Sequence, residues 1–180
     1  MVGPWSDHET SVVKQYLENL PEELTIRNPN LKKIERKDVL RPKPAGAPGD
    51  SKYDQDRGAV VVYDKGVYDG GEKVKRDHLA RSVLHELAHS LDDELPKIFN
   101  EWKAISGWTQ KDDKWTATNP RVGFVDDYAK TSPFEDWAET FQEYQLHPAE
   151  VRKRVPEKAR FMERFLSAAG RGELKLKERR

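Results

Sequence analysis

His85-Glu86-Leu87-Ala88-His89 sets two imidazoles four residues apart around a glutamate. On a helix, residues at that spacing stand one turn above each other, so both rings can face one metal ion. Glu86 is turned off that axis by about 100° per residue. From there a carboxylate can take a proton from a water on the metal without itself being a ligand. The chain has only 5 histidines, which makes the pairing harder to ascribe to chance. Ala80, Val83, Leu84, Leu87, Ala88 and Leu91 recur at helical spacing and predict an amphipathic helix with one buried side. The alternative is a structural histidine pair, and a third ligand decides between the two.

Catalytic zinc usually takes three protein ligands and keeps a fourth position for water. A third histidine six residues after His89, with glycine midway, is excluded because those positions hold Leu95 and Asp92. No Gly-Thr-x-x-Asp string occurs either. A glutamate on a later helix remains, in Ser132-Pro133-Phe134-Glu135-Asp136-Trp137-Ala138-Glu139-Thr140-Phe141. Ser132 reads as an N-cap with Pro133 at the first helical position. Glu135 and Glu139 share one face, while Phe134, Trp137, Ala138 and Phe141 supply the apolar side. Two carboxylates on a buried face are costly unless they meet a cation or strong donors. A metal and a ligand histidine would satisfy both; a solvated acidic edge is the bland alternative. Tyr128, seven residues before Glu135, offers a phenol donor for the negative charge that develops on a carbonyl oxygen during peptide hydrolysis. These residues together point to a small zinc-dependent peptidase.

At these strings the chain resembles the lethal-factor-like gluzincins, nearest to the small secreted Pro-Pro endopeptidases. The matching segments are His85-Glu86-x-x-His89 with Asp92, then Tyr128-x6-Glu135-Asp136-Trp137-Ala138-Glu139-Thr140-Phe141. The resemblance runs from about residue 58 to 147. It implies His85, His89 and Glu135 as ligands of one zinc ion, Glu86 as general base and Tyr128 as oxyanion donor. It also implies Glu139 as the carboxylate that orients a ligand histidine. Asp92 is read either as a second such partner or as a helix-surface acid. Two departures stand out: no tryptophan lies between Trp5 and Trp102, and Phe134 replaces the charged residue that precedes the ligand glutamate. The likeness carries a peptidase and leaves preference for a Pro-Pro bond open.

The elements that must position these groups are predicted as follows. A helix runs from about Asp7 to Leu20, and short strands lie near Leu24–Arg27 and Leu31–Arg36. Residues 41–49, with three prolines and two glycines, form a loop. Ala59-Val60-Val61-Val62-Tyr63 is the strongest strand. We expect it to be a sheet edge that pairs with substrate backbone, making Val60, Val61, Val62 and Tyr63 substrate contacts together with Phe134; an internal core strand is the alternative. Asp69–Glu72 is a turn before the metal helix. Residues 106–123 show no period and form a cleft wall or pack over the core. Residues 149–168 are a helix pair, or one broken helix, interrupted at Pro156, and 170–180 a frayed charged tail. The expected fold class is α+β and zincin-like, with a small mixed sheet, an edge strand above a metal-binding helix and a mainly helical C-terminal half.

The 180 residues suit a single domain over 1–180. With 32 basic and 32 acidic residues the net charge is zero, so no global field draws the chain to nucleic acid or membrane. No apolar run approaches the roughly 18–20 residues that span a bilayer. Zero cysteines exclude disulfides and thiolate zinc ligands. The N-terminus lacks the basic start and apolar stretch of a signal peptide, while the resemblance favours a secreted, extracellular protein. The expected partner is a peptide or protein substrate. Two further functions stay in play: the catalytic domain of a toxin or effector protease, and a non-catalytic zinc-containing binding module.

Overall fold

Helix α1 (Asp7–Glu18) begins where Ser6 and Glu9 cap each other: the Glu9 amide donates to Ser6 Oγ and the Ser6 amide to Glu9 Oε2. The computed structural model describes residues 1–37, 51–63, 72–92, 95–119 and 121–176. Val12 and Val13 form the buried side of α1, and Asn19 ends it two residues before Pro21. A single 3-10 turn (Glu22–Leu24) follows in place of the strand expected at Leu24–Arg27. The amides of Leu24, Thr25 and Arg27 bond to the Pro21 and Glu22 carbonyls, so this backbone is satisfied locally and joins no ladder.

Strands β1 (Lys33–Lys37), β2 (Ser51–Asp54) and β3 (Ala59–Tyr63) form a mixed sheet in the order β1-β3-β2. β3 runs parallel to β1 and antiparallel to β2. Its range matches the predicted strand to the residue, but its place corrects the expectation. Val60, Val61, Val62 and Tyr63 are buried in the central strand, the three valines paired on both sides and Tyr63 paired with Lys37 of β1, and not at an edge open to substrate. The reason is in the run itself: an uninterrupted apolar segment has two faces to bury, which suits an interior strand. Val60 and Val62 pack on Val12, Val13, Leu79 and Val83, while Ala59, Val61 and Tyr63 cluster separately. The polar strand β2 is outermost among the described strands and lies above the helix that carries the histidines.

That helix, α2 (Glu72–His89), buries Leu79, Ala80, Val83, Leu84, Leu87 and Ala88. Helix α3 (Pro96–Ser106) ends at Gly107, whose φ of 65° is the left-handed cap that glycine adopts at little cost. The segment read as irregular is in fact a hairpin, β4 (Trp108–Lys111) and β5 (Lys114–Ala117). Its two-residue turn uses Asp112 and Asp113 at φ 48° and 59°, both left-handed, as such tight hairpins require.

Helix α4 (Pro133–Leu146) starts as predicted, with Ser132 Oγ accepting from the Glu135 amide. α5 (Pro148–Arg154) and α6 (Pro156–Gly170) follow, each restarted by a proline at its first position. Trp102, Trp137, Phe161 and Phe165 interlock α3, α4 and α6, with ring centroids 5.0–6.3 Å apart. Such pairs each add about 0.5–1.5 kcal/mol beyond the area they bury. The architecture is α+β, a small mixed sheet with a helical C-terminal half. No described helix is long and apolar enough to cross a membrane. The loop expected at 41–49, most of the turn at 69–72 and the end of the charged tail lie outside the described residues.

Candidate metal centre

Helix α2 presents His85 and His89 one turn apart, and α4 brings Glu135 against them. Three atoms converge: the two Nε2 atoms are 3.1 Å apart, and Glu135 Oε2 is 3.3 Å from that of His85 and 3.6 Å from that of His89. A tetrahedral ion with bonds of about 2.0–2.1 Å separates its ligands by about 3.3–3.4 Å, so the spacing suits zinc.

The outer nitrogens show which atoms face inward. His85 Nδ1 is 2.9 Å from Glu139 Oε1, and His89 Nδ1 is 3.0 Å from Asp92 Oδ2. When each neutral ring donates from Nδ1 to its carboxylate, Nε2 is left as a lone pair. Glu135 Oε2 is buried and receives no hydrogen bond from any described residue. Three inward-facing acceptors without a shared donor are an arrangement that a cation completes.

The electrostatics agree. Burial alone would lower the histidines, but Glu135 and Glu139 raise His85 to about 9, and Asp92 and Glu135 raise His89 to about 10. Burial would raise Glu135, yet the two imidazoles bring it down to about 2. The cluster thus favours positive charge between the rings, whether carried by protons or by a metal. Glu139 is pushed up by burial and by Asp126, against the pull of His85. Its Oε2 also accepts from Gln142 Nε2, which leaves neither carboxylate oxygen idle.

Glu86 is 7% exposed, and its Oε1 accepts from Ser51 Oγ at 2.9 Å. Tyr128 opens a 3-10 turn (Tyr128–Lys130), and its ring stacks on His85 at 6.3 Å with planes 29° apart. Its phenol is pushed up by burial and by the Glu135, Glu139 and Glu86 carboxylates, so it keeps its proton. All the predicted polar residues therefore meet in one place: His85, Glu86, His89, Asp92, Tyr128, Glu135 and Glu139. Phe134 packs on Phe99 at 5.0 Å and Trp115 at 6.1 Å. Ser51 and Gln142 were not anticipated. Ser51 is 35 residues from its partner, and no local spacing signals such a contact.

A family model described as "Putative zinc-binding metallo-peptidase" matches residues 53–179, well over half of the chain. The chain belongs to this metallo-peptidase family. A comparison with curated proteins finds no match. The family match spans every residue of the cluster and begins inside β2, two residues after Ser51. Zinc is the ion that the family description names, and the two imidazoles and one carboxylate are a donor set that suits it.

Proposed function

We propose that this member of the metallo-peptidase family is an endopeptidase that hydrolyses peptide bonds in extended segments, with one zinc ion held by His85, His89 and Glu135. The observation that carries the reading is the convergence of those three side chains with Glu86 and Tyr128 on the same spot. Zinc, when bound, supplies a Lewis acid and an acidified water at neutral pH.

The chain's own groups do the rest. Glu86, steadied at Oε1 by Ser51, accepts a proton from the water and returns it to the leaving amine. Tyr128 donates its phenolic hydrogen to the oxygen that becomes negative in the transition state. Glu139 and Asp92 hold the two imidazoles in the tautomer that faces the metal. The likeness to Pro-Pro endopeptidases supports proline-containing peptides as the first substrates to try, and an extracellular setting.

The test is a diverse peptide library, Pro-Pro sequences included, mapped by mass spectrometry beside a Glu86→Ala control. Cleavage by the zinc-loaded chain and none by the control is the expected result. Equal cleavage by both would remove Glu86 as the base, and no cleavage by a folded, zinc-loaded chain would count against the endopeptidase reading.

A further inference from the structure

The Lys158 ammonium has no part in the chemistry above, yet its side chain is fully buried, as is that of Asp136, its partner at 2.7 Å. We propose that Lys158 is a positioning residue for the site, a buried cation that ties the ligand-bearing turn of α4 to the segment carrying Tyr128. This rests on the zinc-peptidase reading of the same cluster.

Asp136 follows Glu135 directly, and successive helical side chains differ by about 100° in direction. Glu135 thus faces the imidazoles while Asp136 faces the core. There Asp136 Oδ2 accepts from Trp108 Nε1 at 3.0 Å and Ser106 Oγ at 3.2 Å, and Oδ1 accepts from Lys158. Holding Asp136 from three sides sets the rotation of the first turn of α4, and so the aim of Glu135.

The same ammonium donates to the Gly123 carbonyl at 2.8 Å and lies 3.9 Å from the Phe124 ring centroid. Gly123 has φ 71° and sits against Val155. The next links are also tied: the Arg154 guanidinium donates to the Val125 carbonyl, and Asp126 Oδ1 accepts from the Ala129 amide at 2.8 Å. The path from Lys158 to Tyr128 is therefore fastened along its length.

A buried ion pair is a poor way to gain stability alone, because apolar residues of similar volume often serve as well or better. Apolar residues could not grip both Asp136 and the Gly123 carbonyl, and that separates positioning from packing. The experiment compares Lys158→Met, Lys158→Met/Asp136→Leu and Asp136→Asn with the unaltered full chain. The readouts are thermal unfolding without metal, zinc affinity by chelator competition, and kcat and KM on a cleaved peptide.

The double variant is expected to regain most of the stability that Lys158→Met loses. Its zinc affinity should stay about tenfold or more below that of the unaltered chain, with kcat down about as much and KM little changed. Asp136→Asn keeps the size but only one of the two acceptor oxygens, and a folded sample should show a loss in the same direction. A double variant, or Asp136→Asn should the double variant not fold, with unaltered zinc affinity and kcat would overturn the positioning role while leaving the peptidase reading in place. Failure of the unaltered chain to bind zinc would overturn both.

Discussion

The indole nitrogen of Trp137 donates to the carbonyl oxygen of Ala88 at 3.0 Å. Ala88 lies between the two histidines of α2, and Trp137 lies two residues past Glu135 in α4. Both residues are buried among apolar neighbours, where a hydrogen bond is costly to leave unmade. This bond joins α4 to α2 beside the site, and together with the contacts of Asp136 it holds the turn of α4 that carries Glu135 against the imidazoles.

Trp137→Phe should keep most of the packing and remove the donor. We expect a loss of about 1–3 kcal/mol, plus the smaller ring's packing deficit. Zinc affinity should fall further than in Phe165→Leu, a core change on α6 that touches the same aromatic cluster. Thermal unfolding and chelator competition on both variants check this. Equal zinc affinity would reduce the Trp137 bond to a packing detail.

Tyr128→Phe preserves the ring that stacks on His85 and removes only the hydroxyl. If the phenol serves the transition state, kcat should drop by about 10²-fold, with KM and zinc content nearly unchanged. A change in KM alone would instead mark Tyr128 as a substrate contact.

Ser51→Ala leaves Glu86 Oε1 without its donor from β2. The carboxylate then gains rotational freedom, and kcat should fall several-fold, roughly 3- to 10-fold for a lost orienting hydrogen bond. Zinc affinity should change little, because the Ser51 hydroxyl bonds to Glu86, which is not one of the three ligands. Steady-state kinetics beside a zinc titration separate the two effects.

Protons and zinc compete for the same nitrogens. In the metal-free chain His85 and His89 stand above 6.5, at about 9 and about 10, so the stability they contribute is complete below pH 6.5 and fades as pH rises through those values. Glu135 is depressed from 4.5 to about 2, so its contribution is present above pH 4.5 and is lost as pH falls through about 2. Zinc must displace the imidazole protons, so its affinity should rise across the neutral range. The increase in melting temperature on adding zinc should be larger at pH 8.5 than at pH 6, with proton release at pH 7. An effect independent of pH would argue against the histidines as ligands.

Much of this molecule is local. The spacing of His85, Glu86 and His89, the Ser132-Pro133 start of α4 and the Glu135/Glu139 pair follow from helical geometry and capping, which act over a few residues. So does the extent of β3, which its β-branched run sets. What lay beyond reach depended on partners distant in the chain. The run Ala59–Tyr63 could not say whether one edge or both would be paired, and burial on both faces placed it in the centre. The hairpin at residues 108–117 was hidden because an Asp-Asp turn lacks the usual Asn-Gly signal, and its left-handed backbone is seen only in three dimensions. The side-chain chemistry of the site was therefore written in the sequence. Ser51 beside Glu86, Trp137 against Ala88 and Lys158 beneath Asp136 came from tertiary packing, because a contact across 22 to 49 residues depends on how separate elements close on one another.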